Sequence, residues 1–233
     1  MRIILLGPPG SGKGTQSSFI SEYFKISHLS TGDILRSEVN KGSDLGISAK
    51  KYMEVGDLIP DELMIKAINN KILNLSTGFL LDGFPRTLNQ AKSLDTLLID
   101  KNQPIDKVVC LKVNKDEIIS RLLSRAICNS CGNNYNLLSS PPKQKGKCDS
   151  CGGDIITRSD DNKEAISNRL QIYEEMTSPV INYYDSSKRC FFVTASDKPK
   201  NVFKTIRKLL DLSLIHISEP TRRTPISYAV FCL

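Results

Sequence analysis

The first sixteen residues constrain the fold of this chain more than any other stretch. Residues 2–6 (RIILL) form a short run rich in β-forming side chains, which predicts a buried parallel strand covered on both faces. The glycine-rich residues 7–15 (GPPGSGKGT) follow at once, and helix-compatible sequence begins at Gln16. This order of strand, glycine loop, lysine and helix is typical of a phosphate-binding loop. A glycine-rich turn before an ordinary helix is the structural alternative.

The loop contains the groups that a bound polyphosphate requires. Its glycines allow successive backbone N–H groups to point at phosphates, and the N-terminal end of the next helix adds a favourable field. Lys13 supplies a mobile cation that can follow a phosphoryl group during transfer. The usual pattern places Ser or Thr directly after the lysine to hold Mg²⁺. Here Gly14 stands at that position and Thr15 follows it, which indicates a variant of the phosphate loop.

Apolar spacing predicts further strands and helices around this loop. The predicted strands cover residues 26–29, 78–82, 108–113 and 190–193, and the predicted helices cover residues 15–24, 60–75, 116–125, 162–176 and 201–212. Ser30 or Thr31 is expected to cap another helix that starts there. Asp160 or Asp161 is expected to cap the helix predicted over residues 162–176. That helix is expected to break at residues 177–179 (TSP).

Three charged residues on these elements are candidates for phosphate chemistry. Asp82 ends a predicted strand, and such a position lies beside the phosphate loop in open α/β sheets. Its carboxylate can hold water around Mg²⁺, and a buried, ion-paired structural role is the alternative. Arg121 and Arg125 lie four residues apart on one predicted helix face. They form either a solvated stripe or a pair that faces the transferring phosphates. His28 is expected only to be a polar residue near the second strand.

Composition and charge limit the class of protein. The chain has 233 residues, enough for one large domain or a core with small insertions. It contains no run of 18 apolar residues, and the apolar run before Gly7 is too short for a signal peptide. We therefore expect a cytoplasmic protein. The net charge of +7 fits nucleic-acid binding or a site that gathers phosphates, and the scattered basic residues favour the latter.

Four of the seven cysteines form two C-x-x-C pairs with metal-site spacing. They are Cys128, Cys131, Cys148 and Cys151. Four thiolates close a tetrahedron and leave no position for a reacting water, so we expect structural zinc; a redox pair or inert thiols are alternatives. The nearby Lys143, Lys145 and Lys147 would also allow a ribbon that binds nucleic acid, but no row of aromatic side chains accompanies them. Cys110 and Cys190 are interpreted as core strand residues.

Several segments, in the right order over residues 1–212, resemble the adenylate kinases among the nucleoside monophosphate kinases. These segments are GPPGSGKGTQ, STGDILR, GFLLDGFPRT with Gln90, RSDD, and NRLQIYEEMTSPVINYY. The cysteine insertion resembles the long, zinc-bearing lid of bacterial members. The resemblance implies an α/β P-loop kinase fold, with a parallel five-stranded sheet flanked by helices (residues 1–29, 60–121 and 162–212). It also implies a small helical AMP-binding insertion (30–59) and a zinc-ribbon-like lid (122–161).

The resemblance also implies the residues of the site, which fall into three groups. The ATP-binding residues are Gly10, Ser11, Gly12, Lys13, Gly14, Thr15, Arg121, Arg125, Asn134, Tyr135 and, through its backbone, Lys198. The AMP-binding residues are Thr31, Arg36, Asp57, Leu58, Ile59, Gly83, Phe84, Pro85, Arg86, Gln90, Arg158 and Arg169. The catalytic residues are Lys13, Arg86, Arg125, Arg158 and Arg169.

The implied reaction is ATP + AMP ⇌ 2 ADP, by direct in-line transfer with Mg²⁺. We expect a monomer that binds ATP, AMP and ADP, and neither nucleic acid nor a membrane. A UMP/CMP or GMP kinase is the first alternative, although Thr31 and Gln90 favour adenine. A nucleotide-dependent protein that binds nucleic acid through the zinc ribbon is the more distant one.

Residues 213–233 (SLIHISEPTRRTPISYAVFCL) resemble no element of the family. They show no clear period and end in an apolar run. We interpret them as a non-native tail that arose from cloning, sequencing or readthrough into another frame. A genuine short tail and a partner-binding segment are the alternatives.

Overall fold

The computed structural model describes residues 1–158 and 161–218, with side chains described as far as Asp211. The strands are β1 (Arg2–Leu6), β2 (Ser27–Ser30), β3 (Phe79–Asp82), β4 (Lys107–Lys112), β5 (Arg125–Cys128), β6 (Asn134–Asn136), β7 (Ile155–Thr157) and β8 (Cys190–Thr194). The helices are α1 (Lys13–Phe24), α2 (Thr31–Lys41), α3 (Asp44–Val55), α4 (Asp61–Leu73), α5 (Leu88–Asp100), α6 (Lys115–Leu123), α7 (Lys163–Ile172), α8 (Ser178–Ser186) and α9 (Pro199–Ser218). None of the described helices combines the length and apolar character needed to cross a membrane.

A five-stranded parallel sheet in the order β2-β3-β1-β4-β8 forms the centre of the fold, which confirms the predicted architecture. The central strand β1 is apolar on both faces, because Ile4 and Leu6 pack into one core cluster while Ile3 and Leu5 pack into the other. Both faces are thus covered, as a parallel sheet requires. The loop after β1 and the end of β3 therefore meet at the carboxyl edge, where open α/β sheets bind ligands.

Two insertions extend from this sheet. Helices α2 and α3 form a hairpin in which Ser30 caps α2 by accepting a hydrogen bond from the Asp33 N–H. Gly46 allows the close approach of the two helices, since a Cβ there would lie 2.1 Å from the backbone oxygen of Glu38. The second insertion is an antiparallel sheet in the order β6-β5-β7. Its small core contains Cys128 and Tyr135.

The predicted helix over residues 116–125 is too long. Helix α6 ends at Leu123, and Arg125 begins β5, where it pairs with Asn136. Arg121 and Arg125 therefore do not share a helix face. The strand pairing is a tertiary interaction that spacing along the helix could not reveal.

The predicted cap of α7 is also wrong. Asn162 caps this helix, because its side chain accepts a hydrogen bond from the Ala165 N–H. Asp161 is bound instead by two arginines of the cleft. Asp160 lies outside the described residues.

Residues 177–179 do not break the helical path. A π-helical turn at Tyr173–Thr177 joins α7 to α8, and the Ser178 N–H donates to the Tyr173 carbonyl oxygen. Pro179 lies in the first turn of α8, where its missing N–H costs no intrahelical hydrogen bond. The path therefore continues to Ser186.

The last helix is longer than its predicted span of residues 201–212. Helix α9 runs over Pro199–Ser218 and so includes the start of the segment interpreted as a non-native tail. Residues 213–218 contain no Pro or Gly, and the next proline is Pro220, so local sequence allows the extension. Residues 219–233 lie outside the described residues.

Candidate active site

The phosphate loop connects β1 to α1, and α1 begins at Lys13. Gly10 and Gly12 have φ values of 76° and 89°, which side chains rarely adopt. At Gly10 the space is also closed, since a Cβ would lie 2.9 Å from Cγ of Leu122. The loop therefore has a fixed, left-handed backbone that leaves the first amides of α1 open to an anion.

The Lys13 ammonium lies inside this loop, where neutral carbonyl oxygens accept its hydrogen bonds. Its Nζ donates to the carbonyl oxygens of Gly7 and Pro8 over 2.7 and 2.9 Å. Burial lowers the pKa of Lys13 from 10.5 to about 8, Asp82 opposes the shift, and Arg86 and two further arginines strengthen it. At neutral pH the ammonium remains charged at a cost in stability, and that cost disappears as the pH rises from about 8 to 10.5. An anion bound in the loop would supply the missing charge.

One cleft of about 1180 Å³ runs from the phosphate loop past β3 to the helical insertion. Almost all of the predicted nucleotide-binding residues line it. They are Gly10, Ser11, Gly12, Lys13, Gly14, Thr15, Thr31, Arg36, Asp57, Leu58, Ile59, Gly83, Pro85, Arg86, Gln90, Arg121, Arg125, Asn134, Tyr135, Arg158, Arg169 and Lys198. Phe84 is the exception, because its ring is buried in the core cluster beneath the cleft.

A single carboxylate holds two of the predicted catalytic arginines. Arg125 donates to Asp161 through Nε and Nη2 over 2.7 and 2.5 Å, and Arg169 donates through Nη1 over 3.1 Å. The Asp161 side chain is only 4% exposed. A buried carboxylate in a bidentate contact fixes guanidinium orientation strongly. The sequence analysis had suggested only a helix cap for Asp161, so this role was missed.

Two further arginines predicted to bind nucleotide, Arg121 at the phosphate-loop end and Arg36 at the acceptor end, are also held by protein groups. Arg121 donates to Glu117 over 2.5 Å and to the Ala195 carbonyl oxygen over 2.8 Å. Arg36 contacts the carboxylate of Asp33. These contacts keep both guanidinium groups at the wall of the cleft, where a phosphate can approach them.

The acceptor end of the cleft is built by α2, α4 and the segment after β3. Thr31 is 2% exposed and donates through Oγ1 to the Gly83 carbonyl oxygen over 3.1 Å. Arg86 Nε also donates to that oxygen, over 2.9 Å. Burial, followed by the charge of Arg169, lowers the pKa of the Arg86 guanidinium. A phosphate bound between Arg86 and Arg169 would relieve their repulsion.

Asp82 lies at the end of β3, beside the phosphate loop. It is 8% exposed, and a Cβ at Gly14 would lie 3.9 Å from its Oδ2. His28 was expected to be only a polar residue near β2, yet its Nε2 lies 3.4 Å from Asp82 Oδ2 and it lines the cleft. The β2–β3 register pairs His28 with Leu80 and Ser30 with Asp82. His28 and Asp82 are therefore diagonal neighbours on one face of the sheet, which local sequence does not reveal.

The four predicted metal-binding cysteines come together, with all four Sγ atoms within 4.8 Å of one another. The Sγ atoms of Cys128 and Cys151 are 3.4 Å apart, and those of Cys131 and Cys148 are 3.5 Å apart. Four sulfurs at about 2.3 Å from a tetrahedral zinc ion would be about 3.8 Å apart. The Tyr135 hydroxyl donates to Cys148 Sγ over 3.3 Å and is the main cause that lowers the pKa of that thiol to about 6. The positions of the four sulfur atoms therefore fit a tetrahedral thiolate-bound metal.

Comparison with known proteins gives one consistent family. The family model described as adenylate kinase matches residues 5–189. Adenylate kinase of Methanothrix thermoacetophila is 44% identical over 212 residues, covering 90% of this chain and 98% of that protein. Adenylate kinase of Methanocella arvoryzae is 50% identical over 186 residues, covering 79% and 86%. Adenylate kinase of Clostridium perfringens is 43% identical over 212 residues, covering 90% and 98%.

Proposed function

The chain belongs to the adenylate kinase family, and we propose that its cleft carries out the family reaction ATP + AMP ⇌ 2 ADP. The observation that carries the proposal is the convergence of cations on one point of the cleft. Lys13, Arg86, Arg125 and Arg169 all line this cleft, and after burial the charges of the three arginines further lower the pKa of Lys13. In this proposal the ATP phosphates bind at the phosphate loop, at one end of the cleft, and AMP binds at the other end, around Thr31.

The proposed mechanism is direct in-line transfer between two bound nucleotides. The AMP phosphate is already ionised and serves as the nucleophile, so the chain needs no base and no covalent intermediate. Its main tasks are to align the two phosphates and to neutralise the charge that spreads over the transferring group. Lys13 follows the transferring phosphoryl group, and Arg86 and Arg36 hold the acceptor phosphate. Arg125, Arg158 and Arg169 stabilise the charge between the two nucleotides.

Domain roles follow from the same proposal. The helical insertion of residues 30–59 binds AMP, and the insertion of residues 122–161 closes over ATP as a lid, while the remaining residues up to 212 form the core. Closure would exclude water, which otherwise competes with AMP for the phosphoryl group. Arg121, Asn134, Tyr135 and the Lys198 backbone contact ATP, although the Tyr135 hydroxyl faces the cysteine cluster.

Mg²⁺ is the cofactor that we propose for the reaction. When bound to the phosphates of ATP it would neutralise charge and help to orient them. Asp82 fits the task of holding its water ligands, because this carboxylate faces the phosphate loop. Gly14, which replaces the usual Ser or Thr, leaves open the space next to Asp82 Oδ2.

We propose zinc as the metal of the four-cysteine cluster, in a structural role. The module has a small core of its own, so the metal would supply much of its stability.

Removal of the metal with a strong chelator should therefore lower the melting temperature by several degrees and make the lid more sensitive to protease. Calorimetry and limited proteolysis, with metal content measured in parallel, provide the check. An unchanged melting temperature in metal-free protein would contradict the structural role.

The test of the proposed function is ADP formation from ATP, Mg²⁺ and each of AMP, UMP, CMP and GMP in turn. We expect strong preference for AMP, because Thr31 and Gln90 line the acceptor end. Preference for UMP, CMP or GMP would keep the mechanism and change the acceptor. No transfer to any of them would contradict the proposal, and salt-sensitive retention on DNA or RNA would then support the nucleic-acid alternative.

We further propose that the chain acts as a cytoplasmic monomer without nucleic-acid or membrane partners. The compartment is supported by the four-cysteine cluster, since thiolates that bind a metal suit a reducing environment. The monomer is supported by the cleft, because one copy of the chain supplies both of its ends.

A further inference from the structure

The carboxylate of Asp61, in the first turn of α4, holds the side chain of Gln90 in one place. Gln90 Nε2 donates to Asp61 Oδ1 over 2.7 Å. The other carboxylate oxygen accepts from Thr87 Oγ1 over 2.8 Å and from Asn89 Nδ2 over 3.1 Å. At the opposite end of the amide, Gln90 Oε1 accepts from the Arg86 backbone N–H over 2.8 Å. The Gln90 amide is therefore fixed at both of its polar atoms, in the wall of the cleft.

These two contacts exclude one of the two orientations of the amide. An ionised carboxylate only accepts hydrogen bonds, and a backbone N–H only donates them. If the Gln90 amide turned by 180°, its oxygen would face Asp61 and its NH₂ group would face the Arg86 N–H, so that both contacts became repulsive. Gln90 Nε2 still has one N–H for a ligand, and Gln90 Oε1 still has one lone pair. Neither atom makes a second hydrogen bond among the described residues.

We propose that Asp61 is a positioning residue that makes the acceptor end select 6-amino purines over 6-oxo purines. This inference rests on the proposed function, in which Gln90 contacts the base of AMP. The locked amide offers one acceptor and one donor side by side. These match the C6 amino group and N1 of adenine, whereas hypoxanthine and guanine present an acceptor at C6 and a donor at N1. A 6-oxo base would need the rotated amide, which Asp61 excludes.

Asp61→Asn tests the inference, because an asparagine amide can donate as well as accept. Gln90 then gains its second orientation, and we expect the ratio of kcat/KM for AMP to that for inosine monophosphate to fall at least about tenfold. The value for inosine monophosphate should rise in absolute terms, which a merely structural loss would not produce. Asp61→Ser should act in the same direction, since a hydroxyl also donates and accepts.

Asn89→Ala is the matched control, because it removes one hydrogen bond to the same carboxylate and leaves the orientation of Gln90 fixed. We expect this variant to keep the wild-type ratio. An unchanged ratio in the folded Asp61 variants, or an equal loss for both acceptors, would overturn the inference. If circular dichroism shows that neither variant folds, the kcat/KM values of the wild-type protein for AMP and inosine monophosphate provide the test. Equal values would overturn the inference, because a locked amide cannot serve both bases equally.

A failure of the proposed function is distinguishable from a failure of this inference. Wild-type protein that transfers no phosphoryl group to AMP would contradict the function. Calorimetric binding of AMP and inosine monophosphate without ATP would still test Asp61, because the amide discriminates in binding. Equal affinity of the wild-type protein for the two nucleotides would overturn the role of Asp61 in that case as well.

Discussion

We expect Lys13→Met to reduce kcat by about 10³-fold, which corresponds to about 4 kcal/mol of lost transition-state stabilisation. Methionine keeps most of the length of the side chain and removes its charge. In the folded protein Lys13 donates to two backbone carbonyl oxygens, and its pKa is lowered by burial first and then by the charges of three arginines. Asp82 compensates this charge only in part, and a bound phosphate would compensate the rest. The measurement is steady-state ADP formation at saturating ATP, Mg²⁺ and AMP.

Thermal unfolding of Lys13→Met separates a catalytic loss from a folding defect. The pKa of Lys13 is lower in the folded protein than in the unfolded chain, so at pH 7 its charge opposes folding. We expect the variant to melt at the wild-type temperature or above it, as often occurs when a functional charge is removed. Lys115→Ala, at a side chain that is 66% exposed, is the matched control and should retain full activity. Near-wild-type turnover of Lys13→Met would contradict the assignment of the phosphate loop.

The sequence alone predicts those parts of the fold that are determined locally. The strand, loop and helix around Lys13 follow from apolar runs, glycines and one lysine, and the structure confirms them. The π-helical turn at Tyr173–Thr177 and the end of α6 at Leu123 were not predicted. The pairing of Arg125 with Asn136 sets the end of α6, and at the π-helical turn Thr177 Oγ1 donates to the Arg86 carbonyl oxygen across 91 residues. Both features therefore involve tertiary contacts and do not follow from local propensity.

The candidate site shows the same division between local and distant information. The residues that line the cleft were identified from motifs, whereas the residues that orient them were not. Asp161 binds Arg125 across 36 residues, His28 faces Asp82 across 54, and Asp61 holds Gln90 across 29. Each of these contacts depends on where the fold brings two elements together. Spacing within a motif contains no information about that.

Arg169→Ala should reduce kcat by about 10²- to 10³-fold, the second-largest effect that we expect. Arg169 lies on α7 and lines the same cleft as Lys13 and Arg86, and after burial its charge is one of the causes that lower the pKa of both groups. It is thus close to the groups proposed for the donor and the acceptor phosphates. Charge that develops between the two phosphates in the transition state is stabilised best from such a position. Single-turnover ADP formation measures the effect without a contribution from product release.

The size of the loss in Arg169→Lys then distinguishes charge from geometry. Lysine keeps the positive charge but lacks the planar guanidinium group whose Nη1 donates to Asp161. If orientation by Asp161 contributes to catalysis, Arg169→Lys should recover only a small part of the activity lost in Arg169→Ala. Full recovery would mean that a point charge is sufficient. Arg207→Ala, at a solvent-exposed ion pair with Asp211, should leave kcat unchanged. A similar loss there would show that the effect at Arg169 reflects net charge and not its place between the phosphates.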